Sequence, residues 1–147
     1  MNASSQAAFV DTNVLVYAVA DDDPARQLAA QMLVDALVAA QALHTSTQVL
    51  QELYVVLTRK VRRKFTSAQA LDYLDRIARA PVTTTDYGLV REAAELSGRD
   101  AFSFWDALVV VAAARSGATR LYTEDLQHGR TVLGVEIVNP FRRTGRS

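Results

Sequence analysis

The sequence predicts an α/β fold, a three-layer α/β/α sandwich around a parallel sheet of about five strands, in one domain spanning residues 1–147. Three observations carry this expectation. Short apolar or β-branched runs alternate with longer segments of helical period. The helical segments carry recognisable start and stop residues. No internal repeat, and no stretch rich in Gly, Ser or Pro, divides the chain. A length of 147 residues, half of them hydrophobic, suits one domain with a real core.

The first strand runs Ala7-Ala8-Phe9-Val10 and stops at Asp11, inside the apolar run Phe9-Val10-Asp11-Thr12-Asn13-Val14-Leu15-Val16-Tyr17. Asp23-Pro24 then reads as N-cap and first helical residue of a helix reaching about Gln41, with Leu28, Met32, Leu37 and Val38 among its buried residues. Leu43-His44-Thr45 is a second strand. Ser46 or Thr47 caps a helix whose apolar positions Val49, Leu50, Leu53, Val56 and Leu57 keep a helical period. That helix ends in the cluster Arg59-Lys60-Val61-Arg62-Arg63-Lys64, where cations complement the helix dipole.

Thr66 or Ser67 starts the next helix, with Ala70, Leu71, Leu74 and Ile77 as its stripe and Pro81 as its terminator. Val82-Thr83-Thr84 is β-branched and reads as a strand. Asp86 caps a helix through Leu96 that Gly98 closes in a left-handed stop. Ser103 and Asp106 resemble a capping box at the head of a helix running to Ser116, with Gly117 as its stop. Arg120-Leu121-Tyr122 and Val135-Glu136-Ile137-Val138 are the remaining strands, the latter ended by Asn139-Pro140.

Composition narrows the function. The absence of cysteine excludes a disulfide scaffold, a thiolate zinc site and a cysteine nucleophile, and fits a reducing, cytoplasmic setting. The N-terminus lacks the basic region of a signal peptide, and Leu108 to Ala114 is too short to span a bilayer, so no membrane is expected. The formal net charge is zero, with basic residues gathered at 59–64 and in the tail Arg142-Arg143-Thr144-Gly145-Arg146. Such patches can meet phosphate backbones, although for the tail a frayed, solvated end is the favoured reading.

In a parallel sheet covered by helices, strand C-termini and helix N-termini share one edge. Asp11 ends the first strand, Glu52 lies in the second turn of its helix, Asp106 in the first turn of its helix, and Glu124-Asp125 follow a strand. Four segments thus aim carboxylates at the edge where open α/β sheets take their ligands. A buried carboxylate without a partner is costly, and packed carboxylates repel unless protonated or bound to a cation. Oxygen donors without Cys or a usable His pair suit Mg²⁺ or Mn²⁺. Such ions support phosphodiester hydrolysis.

Each residue has a plainer alternative. Asp106 can be a helix-capping acid, Glu52 a surface residue, and Asp125 a turn former with Gly129. Asn13 can hold Asp11 or merely turn the chain, and Thr123 can bind phosphate or satisfy a loop amide. Phe102, Phe104 and Trp105 read as core rather than base-stacking residues. His44 and His128 stand alone and receive no catalytic role. Asp21-Asp22-Asp23 reads as a solvated helix cap.

Taken in order, FVDTNVLVYA, QVLQELYVVL, SFWDALVVVAA and LYTEDLQHG resemble the PIN-domain ribonucleases, and among them the VapC toxins of bacterial toxin-antitoxin modules. The resemblance covers almost the whole chain. It implies an acidic quartet of Asp11, Glu52, Asp106 and Asp125, with metal on Asp11 and Asp106, Glu52 and Asp125 completing the pocket, and Thr123 as a hydroxyl beside it. Glu124 is not the matched acid, although spacing alone leaves it open. The family's sheet order would set the first and fourth strands side by side. The resemblance further implies a homodimer, a VapB-type antitoxin, and RNA, often transfer RNA, as substrate. Two other classes compete: an aspartyl-phosphate phosphatase, disfavoured because Asn13 stands where a second Asp is usual, and a non-catalytic RNA-binding module.

Overall fold

A computed structural model describes residues 6–142. The tail arginines 143 and 146, and residues 1–5, lie outside the described residues. The elements are β1 (Ala8–Val10), α1 (Thr12–Val19), α2 (Pro24–Ala39), β2 (Leu43–Ser46), α3 (Thr47–Arg59), α4 (Ser67–Ile77), β3 (Val82–Thr83), α5 (Tyr87–Arg99), α6 (Phe104–Arg115), β4 (Arg120–Tyr122), β5 (Thr131–Val132) and β6 (Val135–Val138). The sheet order is β3-β2-β1-β4-β6-β5, parallel except for the antiparallel β5–β6 pair. The expected mixed α/β class with a mainly parallel sheet is therefore present, with six strands.

The strands are short, and burial holds them. Phe9, Val10, Leu121 and Ile137 are almost wholly inaccessible, and full burial of such side chains stabilises by roughly 1.5–3 kcal/mol each. Helix α6 is buried from Ala107 to Ala113 on every side, as a helix apolar all round must be. After β1 the chain builds outward through β2 to β3, then returns to the other side of β1 with β4. That reversal makes the C-terminal ends of β1 and β4 the switch point where a crevice opens.

Several sequence expectations need correction. Helix α1 fills a stretch to which no element is assigned from the sequence: Asp11 accepts the Thr12 N–H and starts a helix at once. Its addition makes a helix pair between β1 and β2, as the sequence already predicts between β2 and β3 and between β3 and β4. Helix α2 buries Ala30 and Val34, leaving Leu28, Met32 and Val38 at 61%, 64% and 55% exposure. Leu33 and Leu37 are half-buried against the core beside this stripe, so of the four residues expected to be buried only Leu37 packs inward. Leu71 is likewise exposed on α4, whose buried positions are Ala70, Tyr73 and Ile77.

Helix α4 ends at Ile77, before Pro81 is reached. Gly98 lies within α5, which continues to Arg99 and is capped by Asp100. Gly117, with φ of 81°, does close α6 as expected. The unforeseen β5 pairs with β6 across Leu133-Gly134, where φ values of 51° and 80° make the two-residue turn that hairpins favour. Trp105 is 66% exposed and therefore not core. Asp21 and Asp22 are not merely solvated: Asp21 pairs with Arg62 and Arg63, and Asp22 accepts the Arg62 N–H.

Candidate active site at the β1–β4 switch point

The register Val10↔Tyr122 places the residues that follow, Asp11 and Thr123, beside one another at the ends of adjacent parallel strands. Asp11 is only 7% exposed. Its Oδ1 accepts the Thr12 N–H at 2.7 Å and its Oδ2 accepts the Thr123 hydroxyl at 2.9 Å. The Thr123 oxygen accepts the Asp125 N–H at 3.2 Å, so one buried hydroxyl fixes two acids. Asn13, on the first turn of α1, donates from Nδ2 to Asp125 Oδ2 at 2.9 Å. It thus holds Asp125 and not Asp11, the partner considered from the sequence.

Glu52 enters from α3. Its Oε1 accepts the Thr12 hydroxyl at 3.2 Å, so Thr12 braces Asp11 with its amide and Glu52 with its side chain. Sequence reasoning passed over Thr12; the signal was its place immediately after a capping Asp. Asp106 lies in the first turn of α6, its amide donating to Ser103 Oγ at 3.1 Å. The side chain of the buried Gln48 donates to the Trp105 carbonyl, which pins the start of α6 to the start of α3. Asp106 makes no direct hydrogen bond to the other three acids among the described residues. Its charge is felt by Glu52 and Asp125.

The electrostatics follow from burial and like charge. Burial is the main reason the Asp11 carboxyl is pushed up from 3.8 to about 6. The hydrogen bonds from Thr12 and Thr123 oppose the rise, and the charges of Asp125 and Glu52 add to it. Glu52 is raised by partial burial, with the Thr12 hydroxyl opposing and the Asp125 and Asp106 charges adding. Asp125 is raised by burial, with Asn13 opposing and Glu124 and Asp106 adding. An acid cluster in which protonation is favoured is one that a divalent cation would relieve.

Glu124 belongs to a different construction. It accepts the Tyr17 hydroxyl at 2.9 Å and pairs with Arg26 at 3.0 Å. Arg26 also packs over the rings of Tyr17 and Phe141. Glu124 thereby ties the loop carrying Asp125 to α1, α2 and the C-terminal segment. His128 accepts the Asn139 N–H through Nδ1 and has no part in the acid group.

Every donor in the group is an oxygen, which fits Mg²⁺ or Mn²⁺. Asn13 Oδ1, buried without a hydrogen-bond partner among the described residues, adds another oxygen on the side chain that holds Asp125. No group of three or more His, Cys, Asp or Glu among the described residues is arranged to hold an ion by itself. Mg²⁺ commonly retains several waters and uses only one or two carboxylates, so the donor set still fits such an ion. A cleft of about 550 Å³ opens beside Glu52 and Asp125 and is walled by Thr12, Asn13, Val16 and Val56. No helix among the described residues is long and apolar enough to cross a membrane.

Residues 8–132 match the family model of the PIN domain. No curated protein matches the chain. Solved structures do. The sarcin-ricin loop cleaving toxin VapC20 of Mycobacterium tuberculosis superposes with a TM-score of 0.63 at 24% identity, covering 81% of this chain and 90% of that one. VapBC2 from Rickettsia felis, bound to a DNA fragment from its promoter, gives 0.61 at 16% identity, covering 90% and 97%. FitAB bound to an IR36 DNA fragment gives 0.61 at 13% identity, covering 95% and 99%. At these identities the likeness is one of fold.

Proposed function

The chain belongs to the PIN-domain family, and from that premise we propose that it is a metal-dependent endoribonuclease of the VapC toxin type, hydrolysing RNA phosphodiester bonds under the control of a VapB-type antitoxin. In this reading residues 1–147 are one domain, and Asp11, Glu52, Asp106 and Asp125 are its catalytic acids. The observation that carries it is the buried Asp11 carboxylate, held by Thr12 and Thr123 at the sheet's switch point while the charges of Glu52 and Asp125 press on it.

Asp11 and Asp106 would hold Mg²⁺ or Mn²⁺, with Glu52 and Asp125 completing the pocket. When bound, such an ion polarises a phosphoryl oxygen and lowers the pKa of a water. The chain's own residues supply positioning. Thr123 fixes Asp11 Oδ2 and the Asp125 amide, Asn13 fixes Asp125 Oδ2, and Thr12 fixes Glu52 Oε1. The raised proton affinity of Glu52 and Asp125 suits either carboxylate to take a proton from the attacking water.

RNA as substrate is supported by the fold shared with a toxin that cleaves the sarcin-ricin loop, and transfer RNA is the class that the family resemblance implies. The fold shared with VapBC2 and FitAB supports a small protein partner. Such a partner can present an Arg to the acid pocket, where guanidinium pairs with carboxylates in a bidentate way. Of the four apolar residues considered as its anchor, Leu28 and Met32 are exposed on α2, whereas Val49 and Leu53 are wholly buried and drop out. The same reading includes a cytoplasmic homodimer, for which sedimentation should give twice the chain mass.

The deciding experiment is cleavage of RNA by the purified protein with Mg²⁺ or Mn²⁺, against a chelator and against Asp11→Asn. Asn keeps a capping oxygen for the Thr12 amide, so the fold should persist. Equal cleavage in all three arms would end the proposal. Co-expression with the small protein encoded beside it, followed by the same assay, tests the antitoxin separately.

A further inference from the structure

The cleft beside the acids continues past them along α3. Glu52, Val56 and Lys60 line it together, four residues apart and therefore on one face of the helix. Two helical turns separate Glu52 from Lys60, about 12 Å of rise. Val16, Ala20 and Val61 give the intervening wall an apolar character. At the far end Asp22 and Asp23 also line the cleft, but their carboxylates are engaged: Asp22 accepts the Arg62 N–H, and Asp23 caps α2 and pairs with Arg26.

Lys60 is the one cation among the described residues that line the cleft, and its ammonium has no ion-pair partner among them. Its neighbours Arg62 and Arg63 are taken up by Asp21. The charge of Lys60 reaches Glu52, which places the two groups in one electrostatic field. A free ammonium at the end of an apolar-walled cleft that begins at a phosphodiester-hydrolysing centre is placed to receive a second phosphate of the same strand.

We propose that Lys60 is a phosphate-binding residue of the substrate cleft, so that the RNA strand leaves the acid cluster along the Glu52–Val56–Lys60 face of α3 with a phosphate flanking the cut site on the Lys60 ammonium. Lys60 positions the strand and takes no part in bond cleavage. This inference rests on the nuclease reading above.

The test is equilibrium binding of a labelled RNA oligonucleotide to the Asp11→Asn protein across a series of salt concentrations, with and without Lys60→Met. Each phosphate neutralised on a single strand contributes roughly 0.7 to the slope of log affinity against log salt. Lys60→Met should therefore lower the slope by about that amount and weaken binding alike for RNAs of different sequence, while Lys60→Arg retains the slope. Equal slopes with RNA bound would overturn the subsite and leave the nuclease intact. A loss of affinity that is the same at every salt concentration would assign Lys60 a structural part, and also overturn it. If Asp11→Asn binds no RNA and the unmodified protein cuts none, the nuclease reading itself falls and the subsite with it.

Discussion

The hydroxyl of Thr123 donates to Oδ2 of Asp11 across the junction of β1 and β4, and both groups are buried. The same oxygen accepts the Asp125 amide, so a single side chain couples the first-strand acid to the fourth-strand loop. Removing it leaves two polar groups without their partner.

Thr123→Val keeps the shape and deletes the hydroxyl. An unsatisfied buried group costs roughly 1–3 kcal/mol, and urea unfolding should show a loss in that range. The Asp11 carboxyl loses one of the bonds that favour its charged form, so the acid limb of any pH–activity profile should move to higher pH.

The stability of the metal-free protein should depend on the Asp11 proton. The carboxyl titrates at about 6 when folded, against an ordinary 3.8, so between these values the folded state binds more protons than the unfolded one. Its relative stabilisation is fully present below the unfolded value and is lost as pH rises through about 6. The gap corresponds to roughly 3 kcal/mol. With a chelator present, denaturant midpoints should fall from about pH 4 to about pH 7, and Asp11→Asn should flatten much of that fall. A curve identical in the variant would remove Asp11 as its source.

Mg²⁺ or Mn²⁺ should raise the melting temperature, and more so near neutrality than in mild acid, because the proton on Asp11 competes with the ion. A ligand at a hundred times its Kd stabilises by about 2.7 kcal/mol, which for a chain of this size is roughly 5–11 °C. Asp11→Asn should abolish most of the shift. A rise of equal size in that variant would place the ion elsewhere.

Asn13→Ala deletes the hydrogen bond to Asp125 while leaving every acid in place. Outer partners of this kind are worth roughly tenfold to hundredfold in activity, and RNA cleavage should fall by that factor with an unchanged circular dichroism spectrum. Asp106→Asn should lose more, since it removes a charge that the other acids feel. Cleavage by a folded Asp106→Asn protein at the original rate would take that residue out of the mechanism.

Much of the architecture was legible because local chemistry dictates it. Ser46, Thr66, Asp86 and Ser103 cap the helices their side chains predict, and Asp23-Pro24 opens α2. The strand expected at Arg120-Leu121-Tyr122 is β4, paired with β1. What failed was whatever depends on neighbours. Leu28, Met32 and Trp105 are large and apolar, and only the packing of α2 on α1 and of α6 on the sheet decides that their sides of the helices face outward.

The same division holds at the site. That Asp11, Glu52, Asp106 and Asp125 are carboxylates in segments ending or beginning at one sheet edge was determined by the sequence, because strand and helix periods fix where each segment points. Which acid meets which brace was decided only by the tertiary structure. The parallel register of β1 with β4 sets Asp11 against Thr123, and α1 brings Thr12 to Glu52 and Asn13 to Asp125 across more than a hundred residues of chain in the latter case. Register and helix docking are set by the fit of the whole core, and a local pattern of residue types carries no record of that fit.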